Sequence, residues 1–350
     1  MTDSTHKKIL ITGVAGFIGF HLADRFCKAG LEVIGIDTIN DYYDVQLKID
    51  RLNELKPHSN FTFYTISITD KTSLDDLFER EGFTHVINLA AQAGVRYSID
   101  RPFKYIDANL IGFINILEAC RNHPVKHLIY ASSSSVYGAN KKIPFNEADH
   151  TDHPVSLYAA TKKANEMMAH SYSSLYNIPC TGLRFFTVYG PWGRPDMAYF
   201  KFARAIMEDQ PIKVYNIGKM RRDFTYIDDI TESIFRLLEI VPKKEETWEN
   251  VPQSSTVAPY KIYNIGNNQP VRLLEFIETL ELALGKEAKK ELMPMQPGDV
   301  LETYADIEDL ALLTGFRPRT DLKQGLEKFA DWFLSYENGY KIIEKSGRGN

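Results

Sequence analysis

Cysteine is scarce in this chain: Cys27, Cys120 and Cys180 are the only three among 350 residues. They are odd in number and far apart. That excludes a disulfide framework and a cysteine-based metal centre, and it predicts a reducing, cytoplasmic setting. Long apolar runs are missing too. Met1 to Lys8 is polar, and the apolar stretch Ile9 to Thr12 is too short for a signal sequence or a membrane span. The sequence therefore predicts a soluble protein with no membrane partner. There is no surplus of positive charge. Lys and Arg number 41 against 46 Asp and Glu, a formal net charge of −5, which argues against a nucleic-acid partner. An anionic ligand would need individual Arg or Lys side chains. The histidines, His85, His123 and His127 among them, show no metal-ligand spacing, and no metal is predicted. Repeats and low-complexity segments are absent.

What is present is an alternation. Short apolar runs at Lys8–Thr12, Glu32–Asp37, Phe61–Ile68, His85–Ala90, His127–Ser132 and Cys180–Phe186 read as strands buried on both faces. Helical patterns lie between them. Ile18, Leu22 and Phe26 recur every four residues before Gly30, Thr72 to Glu81 reads as a helix, and Pro102 to Asn122 reads as one long helix. The fold class is α/β: a Rossmann-type, doubly wound parallel sheet. After Gly190 the character changes. Pro191, Gly193 and Pro195 mark an irregular loop, helices follow at Leu273–Leu284 and Leu322–Tyr336, and polar Lys243 to Ser255 reads as a surface loop. The expected division is a dinucleotide-binding domain over 1–190, with part of 226–260 packing back onto it. A smaller α+β substrate lobe takes 191–225 and 261–350.

Two motifs carry chemistry. The first strand runs into Gly13-Val14-Ala15-Gly16-Phe17-Ile18-Gly19. Its glycines allow a tight turn and bring backbone N–H groups to a pyrophosphate at a helix start. Asp37 ends the second strand about 20 residues on, where a carboxylate accepts from ribose hydroxyls and repels a 2′-phosphate, so the cofactor is expected to be NAD rather than NADP. The other reading is a glycine turn in an unrelated α/β protein. The second motif is Tyr158-Ala159-Ala160-Thr161-Lys162. One helical turn apart, the two side chains share a face, and a nearby ammonium favours the phenolate, making Tyr158 a base usable near neutral pH. Alone, such a pair arises by chance on surface helices.

Together, the glycine turn, Asn88-Leu89-Ala90-Ala91, Ser132 to Gly138 and Tyr158-x-x-x-Lys162 resemble the extended short-chain dehydrogenase/reductase family over nearly the whole chain. Several segments are more similar still to the UDP-glucuronate 4-epimerases within it. They are Asp41-Tyr42-Tyr43-Asp44, Ala91 to Ser98, Arg184 to Met197, and Met295 to Val300. The resemblance implies tight NAD binding, with the cofactor reduced and reoxidised inside each turnover. By motif position it places Phe17 and Ile18 by the pyrophosphate, and Ile68 by the adenine. Leu89, Ala90 and Gln92 would lie along the cofactor, Asn109 would support the site backbone, and Phe186 would pack near the nicotinamide. It implies Ser133 on the sugar oxygen that Tyr158 deprotonates, and Ser134, Thr187 and Arg194 on the sugar carboxylate. Arg222 would meet the diphosphate, Val214 and Tyr215 the uracil, and Asp299 the uridine ribose. One departure is Ser67, where the family usually has Asp on the adenine amino group.

The serine run separates reaction types. Related dehydratases carry Asp and Glu where this chain has Ser134 and Ser135, which do not titrate near neutral pH, and decarboxylases typically have Glu at Ser135. The expected course is thus epimerisation of UDP-glucuronate to UDP-galacturonate through a 4-keto sugar. A UDP-glucose/UDP-galactose-type epimerase, a UDP-glucuronate decarboxylase and a non-catalytic NAD-sensing protein stay open as alternatives. So does an ordinary loop role for Arg194 beside Asp196. Helices Pro102–Asn122 and Ser156–Tyr176 carry apolar residues on more than one face; the resemblance implies a homodimer through them.

Overall fold

The computed structural model describes residues 7–244, 257–295 and 301–347. Asp299 and most of the Lys243–Ser255 stretch lie outside the described residues. The centre is a seven-stranded sheet. Six strands come from the first half: β1 (Lys8–Thr12), β2 (Glu32–Asp37), β3 (Phe61–Thr65), β4 (His85–Asn88), β5 (His127–Ser133) and β6 (Cys180–Phe185). The seventh, Tyr260–Ile265, comes from the second half and adds to the edge beside β6. The spatial order is Tyr260–Ile265, β6, β5, β4, β1, β2, β3, and every pairing is parallel. Ile9, Leu10 and Ile11 are fully buried, as a strand covered on both faces requires.

Order reverses between β4, β1 and β2, so a crevice opens at the carboxyl ends of the strands. Thr12, Asp37, Asn88 and Ser133 all end strands on that side. One apolar layer, including Phe26, Ile87 and Leu183, runs without a break into the second lobe through Tyr199, Phe224, Phe276 and Phe329. The other face of the sheet packs on Leu74, Phe78, Phe113, Ile116 and Leu117. The lobe has its own small sheet around Arg221–Tyr226, paired with Thr187–Tyr189, Pro270–Arg272 and Glu302–Thr303. Among the described residues, no helix is long and apolar enough to cross a membrane.

The expected long helix Pro102–Asn122 is three pieces. Pro102–Tyr105 and Gly112–Asn122 are α-helical, and Ile106–Ile111 between them is a π turn. The wider turn rotates Asn109 inward, where it is almost fully buried; such turns gather at functional sites. Four strand ends also move, β5 by one residue to Ser133. β3 stops at Thr65, β4 stops at Asn88, and the run through Phe186 breaks after Phe185, beyond which Thr187–Tyr189 joins the second sheet.

Candidate active site

The glycine turn is shaped by contact. Gly13 has φ +72, and a side-chain carbon there would come within 2.8 Å of the Ala90 nitrogen. At Gly19 such a carbon would meet the Gly13 carbonyl at 2.3 Å, and at Gly16 at 2.9 Å. Helix α1 (Phe17–Lys28) starts from Gly16 with no acidic residue in its first turn, so its free N–H groups suit an anion. Phe17 is buried in the core and Ile18 packs beside it. The opposite wall joins the Asn88-Leu89-Ala90-Ala91 motif to a residue that sequence reading missed: the Thr12 hydroxyl donates to Asn88 Oδ1 at 2.7 Å and accepts from the Ala90 N–H at 3.0 Å. Thr12 carries no signal beyond ending a strand.

Asp37 ends β2 as expected, with a difference. Its Oδ2 accepts from the Ala15 N–H at 3.1 Å, and its Oδ1 accepts from Thr38 and Ile39 at 2.8 and 3.1 Å. Of about four acceptor positions on a carboxylate, the chain fills three, leaving one for a ribose hydroxyl. Ile68 is buried against Gly112, where a side-chain carbon would meet it at 2.6 Å. Ser67 shares its hydroxyl with Thr69 at 2.7 Å. Leu89 and Ala90 are half-buried and Gln92 is buried. Asn109 clamps the Gln92 backbone from both sides, accepting its N–H at 2.8 Å and donating to its carbonyl at 3.1 Å. Its amide also donates to Thr161 at 3.0 Å, which ties this loop to the helix of Tyr158. These contacts fit a dinucleotide: a turn no side chain could share, an open helix start and a carboxylate at the second strand's end.

Tyr158 and Lys162 lie on helix Leu157–Tyr176, whose first turn is capped by Ser156 accepting from the Ala159 N–H at 3.1 Å. Tyr158 stands edge-on to Tyr105, ring centres 6.1 Å apart. Ser133 closes β5; its hydroxyl accepts from the Ser135 N–H at 3.2 Å and heads the short turn Ser134–Tyr137. Burial pushes the Tyr158 phenol above its ordinary 10, while the Ser133 hydroxyl and the Arg194 charge pull it back. Burial disfavours the ammonium of Lys162 as well, lowering it to about 8 against support from Glu166.

Arg194 follows the Pro191-Trp192-Gly193 loop. Its Nε and Nη2 meet Asp196 at 3.0 and 2.5 Å. Burial opposes its charge, but Asp196 outweighs burial and raises its value. Its field reaches both Tyr158 and Tyr105. Thr187 opens its strand half-buried, and Ser134 is half-buried beside Ser133. Phe186 is buried in a small cluster with Val136, Tyr137, Phe145, Ala305 and Ile307. In the second lobe Val214 is fully buried, and the Tyr215 ring lies 5.6 Å from the Arg96 guanidinium. Arg222 donates to the Arg221 carbonyl at 2.9 Å and the Leu301 carbonyl at 3.3 Å. Among the described residues no cluster of His, Cys, Asp or Glu could hold a metal.

Sheet order, glycine turn and tyrosine–lysine helix define a dinucleotide-binding Rossmann-type fold with a candidate proton-transfer site, and the comparisons agree. The chain belongs to the NAD dependent epimerase/dehydratase family, whose model matches residues 9–266. It is 59% identical over 331 residues to Staphylococcus aureus protein CapI, covering 94% of this chain and 99% of that one. It is 49% identical to the probable UDP-glucuronate 4-epimerase of Rhizobium meliloti, covering 95% and 98%. The crystal structure of a Bacillus cereus UDP-glucuronic acid 4-epimerase, bound to UDP-glucuronic acid and NAD, superimposes with a TM-score of 0.81. It is 34% identical and covers 94% of this chain and 99% of that one.

Proposed function

We propose that this protein is an NAD-dependent UDP-glucuronate 4-epimerase that interconverts UDP-glucuronate and UDP-galacturonate. The observation that carries the reading is the match, over 94% of this chain and with a TM-score of 0.81, to a UDP-glucuronic acid 4-epimerase structure that holds UDP-glucuronic acid and NAD. On this reading the Tyr158 base and the planar carboxylate-binding fork of Arg194 act on the same sugar. NAD, when bound, accepts the hydride from C4 and returns it to the other face of the turned ketone, and its positive ring adds the cation that the phenol needs. Tyr158 takes the C4 hydroxyl proton and gives it back, Ser133 bonds the same oxygen, and Lys162 holds charge behind them. Ser134, Thr187 and Arg194 take the carboxylate. Arg222 takes the diphosphate, Val214 and Tyr215 the uracil, and Asp299 the ribose. Residues 1–190, with part of 226–260 and the strand Tyr260–Ile265 that joins the central sheet, serve the cofactor; 191–225 and the rest of 261–350 serve the UDP-sugar. The setting is cytoplasmic.

The test is product analysis. Pure protein given UDP-glucuronate should yield UDP-galacturonate by NMR; UDP-pentose alone, or no turnover, rejects the reading. Tyr158→Phe should keep NAD bound and lose turnover by about 10²–10⁴-fold. Turnover indifferent to that change would favour a cofactor-sensing role. We further propose a homodimer through the helices at 102–122 and 156–176, supported by exposed Phe103 (78%) and Leu175 (67%) on them. Phe103→Glu with Leu175→Glu should give monomers by light scattering; an unchanged mass would reject that interface.

A further inference from the structure

Two side chains with no role so far frame Arg194. Asp196 takes one edge of its guanidinium, Nε and Nη2, and the Tyr42 hydroxyl donates to the same Asp196 Oδ2 at 3.2 Å. Tyr42 is itself fixed. Its ring packs against Tyr97 at 4.9 Å and Tyr43 at 6.0 Å. Its hydroxyl lies over Gly94, where a side-chain carbon would come within 2.5 Å. The backbone ahead of Arg194 is anchored by fully buried Arg51. Arg51 donates to the Trp192 carbonyl at 2.6 Å and the Gly193 carbonyl at 3.0 Å. On its other side it donates to the Ala15 carbonyl and the Tyr43 hydroxyl, both at 2.8 Å.

An arginine needed only for attraction gains nothing from a carboxylate already on its fork, because Asp196 opposes the charge of any second carboxylate. What Asp196 supplies is direction: a planar fork bonded along one edge presents its other edge at a fixed angle. Direction matters to a 4-keto uronate. If the C5–C6 bond aligns with the C4 carbonyl π-system, that bond breaks and its electron pair moves into a C4 enolate. CO₂ then leaves, and a proton lands on C5. The product is a UDP-4-keto-pentose, and no oxidant is needed.

We propose that Asp196 and Tyr42 are positioning residues: they fix the plane of Arg194, which keeps the bound carboxylate out of that alignment and suppresses CO₂ loss. The proposal rests on the epimerase reading. It is tested with the holoenzyme by two measurements, calorimetric affinity for UDP-glucuronate and UDP-glucose, and the fraction of consumed UDP-glucuronate recovered as UDP-pentose or UDP-4-keto-pentose by NMR. Arg194→Ala should weaken UDP-glucuronate by about tenfold or more, as loss of a charged hydrogen-bonded pair does, and leave UDP-glucose unchanged. Asp196→Asn should hold affinity within about threefold yet raise the pentose fraction about tenfold, a 1.4 kcal/mol change in partition. Tyr42→Phe, which removes one oxygen and keeps the ring, should raise it about threefold. A pentose fraction within about twofold of wild type in Tyr42→Phe and Asp196→Asn, smaller than one hydrogen bond is worth, overturns the proposal and leaves the epimerase reading standing. Wild type that makes no UDP-galacturonate removes both.

Discussion

Two arginine–carboxylate pairs in this chain share one geometry. Arg184 meets Glu166 with Nε and Nη2 at 2.8 and 3.0 Å; Arg194 meets Asp196 through the same two nitrogens. Their surroundings differ. The Arg184 and Glu166 side chains are 3% and 0% exposed, whereas those of Arg194 and Asp196 are 24% and 25% exposed. Glu166 also accepts from Ser132 at 2.6 Å, and Arg184 donates to Tyr137 at 3.0 Å. The sealed pair thus pins the strand end and turn that carry Ser133. The more open pair holds its own fork and the Tyr42 hydroxyl. The same bond is a fixture where water is excluded and an offered surface where a ligand can reach it.

Removing one partner from each pair separates the two roles. Burial opposes charge on Glu166, but Arg184 prevails and holds the carboxyl below its ordinary range. Glu166→Ala strands a buried guanidinium and should cost about 3–5 kcal/mol of stability. Arg194→Ala leaves a carboxylate that water can reach, so its cost should stay within about 1 kcal/mol. Urea unfolding of the two variants checks this; comparable losses would mean that the cleft pair is as structural as the sealed one.

The same contrast explains what the sequence disclosed. The sheet was legible because its strands are continuous apolar runs and its first turn is dense in glycine. The helix of Tyr158 was legible because Tyr158 and Lys162 are one turn apart in sequence. Arg51 was not, since it sits in a polar stretch and its acceptors at 15, 192 and 193 meet only in the folded chain. The π turn at Ile106–Ile111 hid because one extra residue per turn barely disturbs a helical pattern. The strand Tyr260–Ile265 hid among segments read as the second lobe. The direction of the Tyr158 shift needed burial, which local spacing does not report.

The sealed side also holds one carboxylate too many. Glu147 lies beside Arg184, donor to its carbonyl at 3.4 Å, yet the fork of that arginine is committed to Glu166. Burial pushes the Glu147 carboxyl up to about 7; the Asn264 N–H at 2.6 Å and the Arg184 charge pull it down, and Asp309 pushes it up further. A carboxyl raised from 4.5 to about 7 on folding keeps its proton in the folded state while the unfolded chain loses it. Stability therefore falls as pH rises through that window and levels off above it. The deficit at pH 8 is about 3 kcal/mol at most. Glu147→Gln keeps an acceptor for the Asn264 N–H and removes the titration. Its stability advantage over wild type should be near zero at pH 4.5, grow through the window and plateau above pH 7. Urea midpoints for both proteins measured across that range decide the matter. Parallel curves would show that Arg184 neutralises two carboxylates at once, and the division between the sealed pair and its surplus neighbour would not hold.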